Sequence, residues 1–140
     1  MKIAVIDGKG GGLGKSIIEA IVKAELEEIQ VFALGTNGIA TQTMLKAGAQ
    51  DGATGENAIL HMASRVEVIV GPLAIIQSGS MLGEISETIA KAVSESEAQK
   101  FLLPTNQCKV KVLDVKNSSL KALFGELIQE LKNMQKKPRR

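Results

Sequence analysis

An α/β domain built on a mostly parallel sheet is the architecture this sequence predicts. Short apolar runs of strand length alternate with longer segments whose apolar residues recur at helical spacing. Each run ends in a glycine-rich or polar cluster, as strands feeding into helices do. With 140 residues, 44% of them hydrophobic, one compact core can form.

Residues 2–6 (KIAVI) are nearly continuously apolar and stop at Asp7-Gly8, the pattern of a strand buried on both faces. A helix follows, with Leu13, Ile17, Ile18, Ile21 and Val22 on one stripe and Lys15, Glu19 and Lys23 turned away. Residues 29–34 read as the second strand. It closes at Gly35, and Thr36 or Asn37 can cap a helix carrying Ile39, Met44 and Leu45 as far as Gly48. Residues 51–55 read as a turn, in which Thr54 caps a helix holding Ile59, Leu60 and Met62. Residues 66–70 (VEVIV) are the next strand, closed by Gly71 and Pro72, and residues 73–83 fit either a loop or a short helix. Ser86 suits the cap of a helix over 87–93, with Ile89 and Val93 four apart.

Residues 101–104 and 110–115 read as the last two strands. About five residues join them, too few for a parallel crossover, so the final strand is expected antiparallel at the sheet edge. Leu120, Leu123, Phe124, Leu127, Ile128, Leu131 and Met134 then form the stripe of a terminal helix. The whole reads as a single-domain Rossmann-like three-layer sandwich over residues 1–135, with a basic tail at 136–140.

Charge and composition remove several functions. Five of the seventeen basic residues lie in the last nine positions, leaving twelve against fifteen acids, a net of −3, over residues 1–131. A mildly acidic body with three Phe, no Tyr and no Trp lacks both the cationic face and the stacking platform of a nucleic-acid binder. Cys108 is the sole cysteine, which excludes an intrachain disulfide and a cysteine metal cluster and suits a reducing compartment. It reads as a small buried hydrophobe, with a reactive thiol as the alternative. No basic-then-apolar leader and no apolar stretch of spanning length is seen, so the expectation is a cytoplasmic protein without a membrane partner.

The chemistry concentrates between the first strand and its helix, in Asp7-Gly8-Lys9-Gly10-Gly11-Gly12-Leu13-Gly14-Lys15-Ser16. Glycines let a ligand approach the backbone, and the helix start aims open N–H groups and positive dipole at the same point. Lys9 and Lys15 can add charge. A Walker A loop fits only at Gly14-Lys15-Ser16, since Lys9 stands where its first glycine belongs. The variant with a second lysine fails at Gly10, and the G-x-G-x-x-G pattern fails at Leu13. Gly8, Gly12, Leu13 and Gly14 do match G-x-x-x-G-[IL]-G, which resembles the coenzyme loop of short-chain dehydrogenases.

The acidic residue that would hold an adenosine ribose is missing after the second strand, where Gly35, Thr36 and Asn37 stand instead; Thr36 or Asn37 can hydrogen-bond a sugar or base. Gly71 and Pro72, and further on residues 71–80 and 105–107, close other strands and are expected along the same cleft. Asp7 is expected as a solvated carboxylate bonding the loop amides, the alternatives being a metal ligand or a base. Glu56 and Glu84 read as first-turn helix acids and His61 as a surface residue.

These residues lead to a nucleotide- or phosphometabolite-binding protein, with NAD(P) or a mononucleotide as the cofactor expected. A role as regulator or sensor fits the missing catalytic set, for with no tyrosine the Tyr-x-x-x-Lys pair of short-chain dehydrogenases is impossible. The alternatives are a small NAD(P)-dependent or phosphate-transfer enzyme completed by a partner subunit, with Asp7, Lys15 or Cys108 contributing, and a structural protein without ligand. A homodimer is expected, because small α/β domains hide open sheet edges by pairing.

The segments IDGKGGGLGKS, ALGTNGIATQTMLKAGA, DGATGENAI, VGPLAIIQSGSMLGEIS and LLPTNQCKVKV, taken together, resemble a small uncharacterised bacterial family, a domain of unknown function of about this length. The resemblance implies that nearly the whole chain is one domain with the glycine loop at its start. It implies nothing about substrate.

Overall fold

The computed structural model describes residues 1–105, 109–113, 115–116 and 118–137. Strands β1 (Lys2–Asp7), β2 (Gln30–Gly35), β3 (Asp51–Thr54), β4 (Val68–Pro72) and β5 (Gln99–Leu103) form one sheet in the order β3-β2-β1-β4-β5, every pairing parallel. Helices α1 (Gly12–Lys23), α2 (Gly38–Lys46), α3 (Glu56–Ala63), α4 (Glu87–Glu95) and α5 (Leu120–Lys136) cover it. The result is the three-layer, Rossmann-like α/β sandwich that the alternation of runs predicts.

The two faces follow from the two-residue period of a strand. Ile3 and Val5 of β1 point into a cluster with Ile17, Ile18 and Ile21 of α1, Met44 of α2 and Leu127 and Leu131 of α5. Ala4 and Ile6 point the other way, into Ile59 of α3 and Ile89 and Val93 of α4. Burial on both sides is why residues 2–6 carry no polar alternation. Among the described residues, no helix is long and apolar enough to cross a membrane.

Three local expectations are corrected. Residues 51–54, read as a turn, form the edge strand β3, paired from Phe32↔Asp51 to Gly35↔Thr54. DGAT has no apolar run because an edge strand this short and exposed buries almost nothing. Thr54 therefore does not cap α3. Its hydroxyl donates to that of Thr41 at 2.7 Å, and Gly55, with φ +102°, occupies the cap position. Among the described residues, the expected antiparallel strand over 110–115 is also missing from the sheet; residues 109–113 are coil, and β5 is the parallel edge.

Other expectations hold in detail. Asn37 caps α2, accepting the Ala40 amide at 2.9 Å, and Ser86 caps α4, accepting that of Ile89 at 3.1 Å. Residues 73–83 resolve into two short 3₁₀ turns, Leu73–Ile76 and Met81–Gly83. His61 is exposed on α3.

The strand order reverses beside β1. From β1 the chain winds outward through β2 to β3, then crosses on the opposite face to β4. In open α/β sheets the crevice at such a switch point, outside the carboxyl ends of the strands, is where ligands bind. Asp7 ends β1 and Pro72 ends β4 at that crevice.

Candidate functional site

Asp7 organises the crevice. Its carboxylate is buried, with 5% of its surface exposed, and accepts the Gly8 amide at 2.8 Å and the Gly14 amide at 2.7 Å. The expectation of a carboxylate bonding the loop amides holds, but that of a solvated one does not. Burial pushes its carboxyl above the ordinary value, the two amides pull it back, and the nearby charge of Glu84 adds to the rise. One side chain thus clamps the loop at both ends.

The loop glycines divide into two kinds. At Gly8 a Cβ would lie 2.7 Å from both Met81 Sδ and Thr36 Oγ1; at Gly14 it would collide with Met44. Gly11 has φ +74° and lies against Ala40, its N–H donating to Gly8 O at 2.9 Å and its carbonyl accepting from Lys15 N–H at 2.9 Å. Packing and backbone conformation account for these three. Gly10 and Gly12 have no left-handed φ, and a Cβ on either would meet nothing within 4 Å.

The amides divide in the same way. Protein acceptors hold the N–H groups of Gly8, Lys9, Gly11, Gly14 and Lys15, while among the described residues those of Gly10, Gly12 and Leu13 have none. Three open donors thus lie on either side of the bonded Gly11 amide at the start of α1, where the helix dipole is positive.

Glu84 is the residue that sequence reasoning misses. Far from being a first-turn helix acid, it sits ahead of α4, and its Oε1 accepts the Lys9 amide at 3.0 Å, the Thr36 hydroxyl at 2.6 Å and the Asn37 side-chain amide at 2.7 Å. The Thr36 hydroxyl is the largest influence holding its carboxyl below the ordinary range. No spacing in the sequence signals a partner 75 positions from Lys9.

Thr36 and Asn37 are accordingly part of the frame. Asn37 donates to Lys9 O at 2.9 Å as well as to Glu84, and the Thr36 amide donates to Asp7 O at 3.1 Å. Gly35 lets α2 start close to β2, for a Cβ there would be 2.6 Å from Thr41 N. Gly71 lets β4 lie against β1, for its Cβ would be 2.5 Å from Ile6 O. None of these four lines the cleft beside the glycine loop.

That cleft is a cavity of about 300 Å³. Residues 7–13 form one wall; Pro72, Ala74, Ser80, Met81 and Leu82 form the other, and Thr105 adjoins them. Of the predicted residues, Asp7, Gly8, Lys9, Gly10, Gly11, Gly12, Leu13 and Pro72 are brought together here. Lys15 points to solvent, and the Ser16 hydroxyl donates back to Gly12 O at 3.2 Å, so neither reaches the cavity. Gln107 and Cys108 lie outside the described residues. Three non-glycine wall residues, Lys9, Met81 and Leu82, have left-handed φ of 50°, 55° and 56°. Each such conformation costs about 1 kcal/mol or more, and strain of this kind clusters at binding sites. Among the described residues there is no group of acids, histidines and cysteines able to hold a metal ion.

A dodecameric FMN-dependent UbiX-like decarboxylase from Escherichia coli O157:H7 superposes with a TM-score of 0.45 and 14% sequence identity, covering 96% of this chain and 76% of that one. No curated protein matches. At the level of family the match is direct: residues 2–136 fit the family described as domain of unknown function DUF3842, and the chain belongs to that family.

Proposed function

We propose that the protein binds the phosphate of a small molecule, a mononucleotide or a comparable phosphometabolite, at the crevice between β1 and β4. The observation that carries this reading is the coincidence at Gly10 and Gly12. Neither packing nor backbone conformation calls for glycine there, both line the cavity, and both have amides without an acceptor among the described residues. A glycine that the protein's own atoms do not require leaves room for a guest to reach the main chain.

In this reading the phosphate oxygens accept from the N–H groups of Gly10, Gly12 and Leu13, and Lys9 supplies a positive charge. The rest of the ligand lies along Pro72, Ala74 and Met81. A cavity of about 300 Å³ is at the small end of small-molecule sites. Together with the use of Thr36 and Asn37 inside the frame, that size favours a mononucleotide over NAD(P). With Asp7 already bonded twice, the site is read as a sensor's or regulator's and not as a reaction centre. The protein is read as cytoplasmic and self-associating.

Native mass spectrometry of the purified chain tests the reading. A co-purifying phosphorylated compound, or saturable binding of one mononucleotide in a panel, is the expected result. An apo mass and no binding to any phosphorylated compound would overturn it.

A further inference from the structure

We infer, on the basis of the phosphate site proposed above, that the guest is a phosphate monoester carrying a planar, largely apolar ring, and that Met81 and Leu82 select that ring. Leu82 is 95% exposed, more than any other large apolar residue among those described, and it lines the cavity. A leucine held in water forfeits the stabilisation that burial of its side chain would bring. A ring entering the cavity recovers that stabilisation by covering it.

The lip that presents these two residues is fixed in itself and fixed to the phosphate loop. Met81 and Leu82, with φ of 55° and 56°, belong to a segment in which Gly79 N–H donates to Ile85 O at 2.8 Å and Ile85 N–H to Ser80 O at 3.2 Å. The Ser80 hydroxyl donates to Ala74 O at 2.6 Å. Glu84, just beyond, accepts the Lys9 amide, so lip and loop keep one spacing. Met81 Sδ lies against Gly8, where an added Cβ would be 2.7 Å away. A lip already ordered spares the ligand that cost on binding.

The rest of the lining favours a ring over a sugar alone. Leu13 on the glycine-loop wall, with Pro72, Ala74, Met81 and Leu82 on the other, offers mostly carbon to whatever extends from the phosphate. Polar side chains here are largely committed: both Asp7 oxygens accept loop amides, and the Ser80 hydroxyl donates to Ala74. A hydroxyl-rich guest would exchange its water for few new hydrogen bonds, whereas an aromatic ring gains from burial and from contact with the Met81 sulfur.

Calorimetric titration of the full chain with AMP, phenyl phosphate and ribose 5-phosphate tests this. The tighter of the two aromatic esters should bind about tenfold or more tightly than ribose 5-phosphate. Leu82→Ala, at an exposed position, should keep the wild-type circular dichroism spectrum and the affinity for ribose 5-phosphate, and cut the preference for the aromatic ester about threefold or more. Leu82→Met, which returns an apolar side chain, should restore it. Ribose 5-phosphate binding as tightly as both aromatic esters, or a folded Leu82→Ala protein with the wild-type preference, would overturn the inference and leave the phosphate site standing. Failure of all three compounds to bind would overturn both.

Discussion

The Asp7 carboxylate, at the end of β1, accepts the amide of Gly14, seven positions further on in the first turn of α1, at 2.7 Å. Its other oxygen takes the Gly8 amide, so the residues between them, with their three open N–H groups, are held as a fixed arc in front of the helix. The carboxylate stabilises the arc and leaves those three donors open.

Asp7→Ala should destabilise the fold, because the amides of Gly8 and Gly14 both lose their acceptor. A loss of about 1–3 kcal/mol is expected for a buried donor left unsatisfied, and urea unfolding of the two proteins measures it.

Gly10→Ala and Gly12→Ala should leave stability within about 0.5 kcal/mol of the wild type, because the added methyl meets open space. Binding of a phosphorylated ligand should nonetheless weaken about tenfold or more, since the methyl stands where the guest approaches. Gly11→Ala and Gly14→Ala should do the reverse in denaturant, each costing about 1–3 kcal/mol through left-handed strain or collision with Met44. Unfolding curves and calorimetric titration of the four variants separate the two classes.

Glu84→Ala should release the Lys9 amide and loosen Thr36 and Asn37. Because the Glu84 carboxyl is held below its ordinary value of 4.5, its contribution is fully present above that pH and is lost as pH falls through the depressed folded-state value. Asp7, raised above 3.8, has the opposite sign: it favours the fold most when protonated, and that advantage is lost as pH rises through its elevated value. The stability gap between wild type and Glu84→Ala should therefore be widest near neutral pH and close under acid, as thermal unfolding across that range would show.

Ile17→Ala should cost about 2–5 kcal/mol, the usual penalty for a cavity in a core of this kind, since its fully buried side chain lies between α1 and the sheet. Denaturant unfolding checks it.

How much of this was legible in the sequence depended on where the stabilising contacts lie. β1 was readable because both its faces are buried, which leaves an unbroken apolar signature at residues 3–6. β3 was not, because Asp51 and Thr54 are exposed edge residues and their pairing with β2 leaves no apolar trace. The alternation over 109–112 has the period of a strand, but residues 109–113 are coil, because a two-residue period shows only that a segment could bury one face, not that a neighbouring strand is there to pair with it. The glycine loop was legible as a loop, but which glycines serve packing depends on Ala40, Met44 and Met81, supplied by distant segments. Glu84 was invisible for the same reason: its partners Lys9, Thr36 and Asn37 meet it only after the sheet has formed.

The most direct test of the central claim is a ¹⁵N-resolved titration of the whole chain with AMP, and with inorganic phosphate as the minimal probe. The amide signals of Gly10, Gly12 and Leu13 should shift together and saturably, while those of Gly8 and Gly14, already bonded to Asp7, should move far less. Saturating millimolar ligand that leaves those three amides where they were would contradict the account.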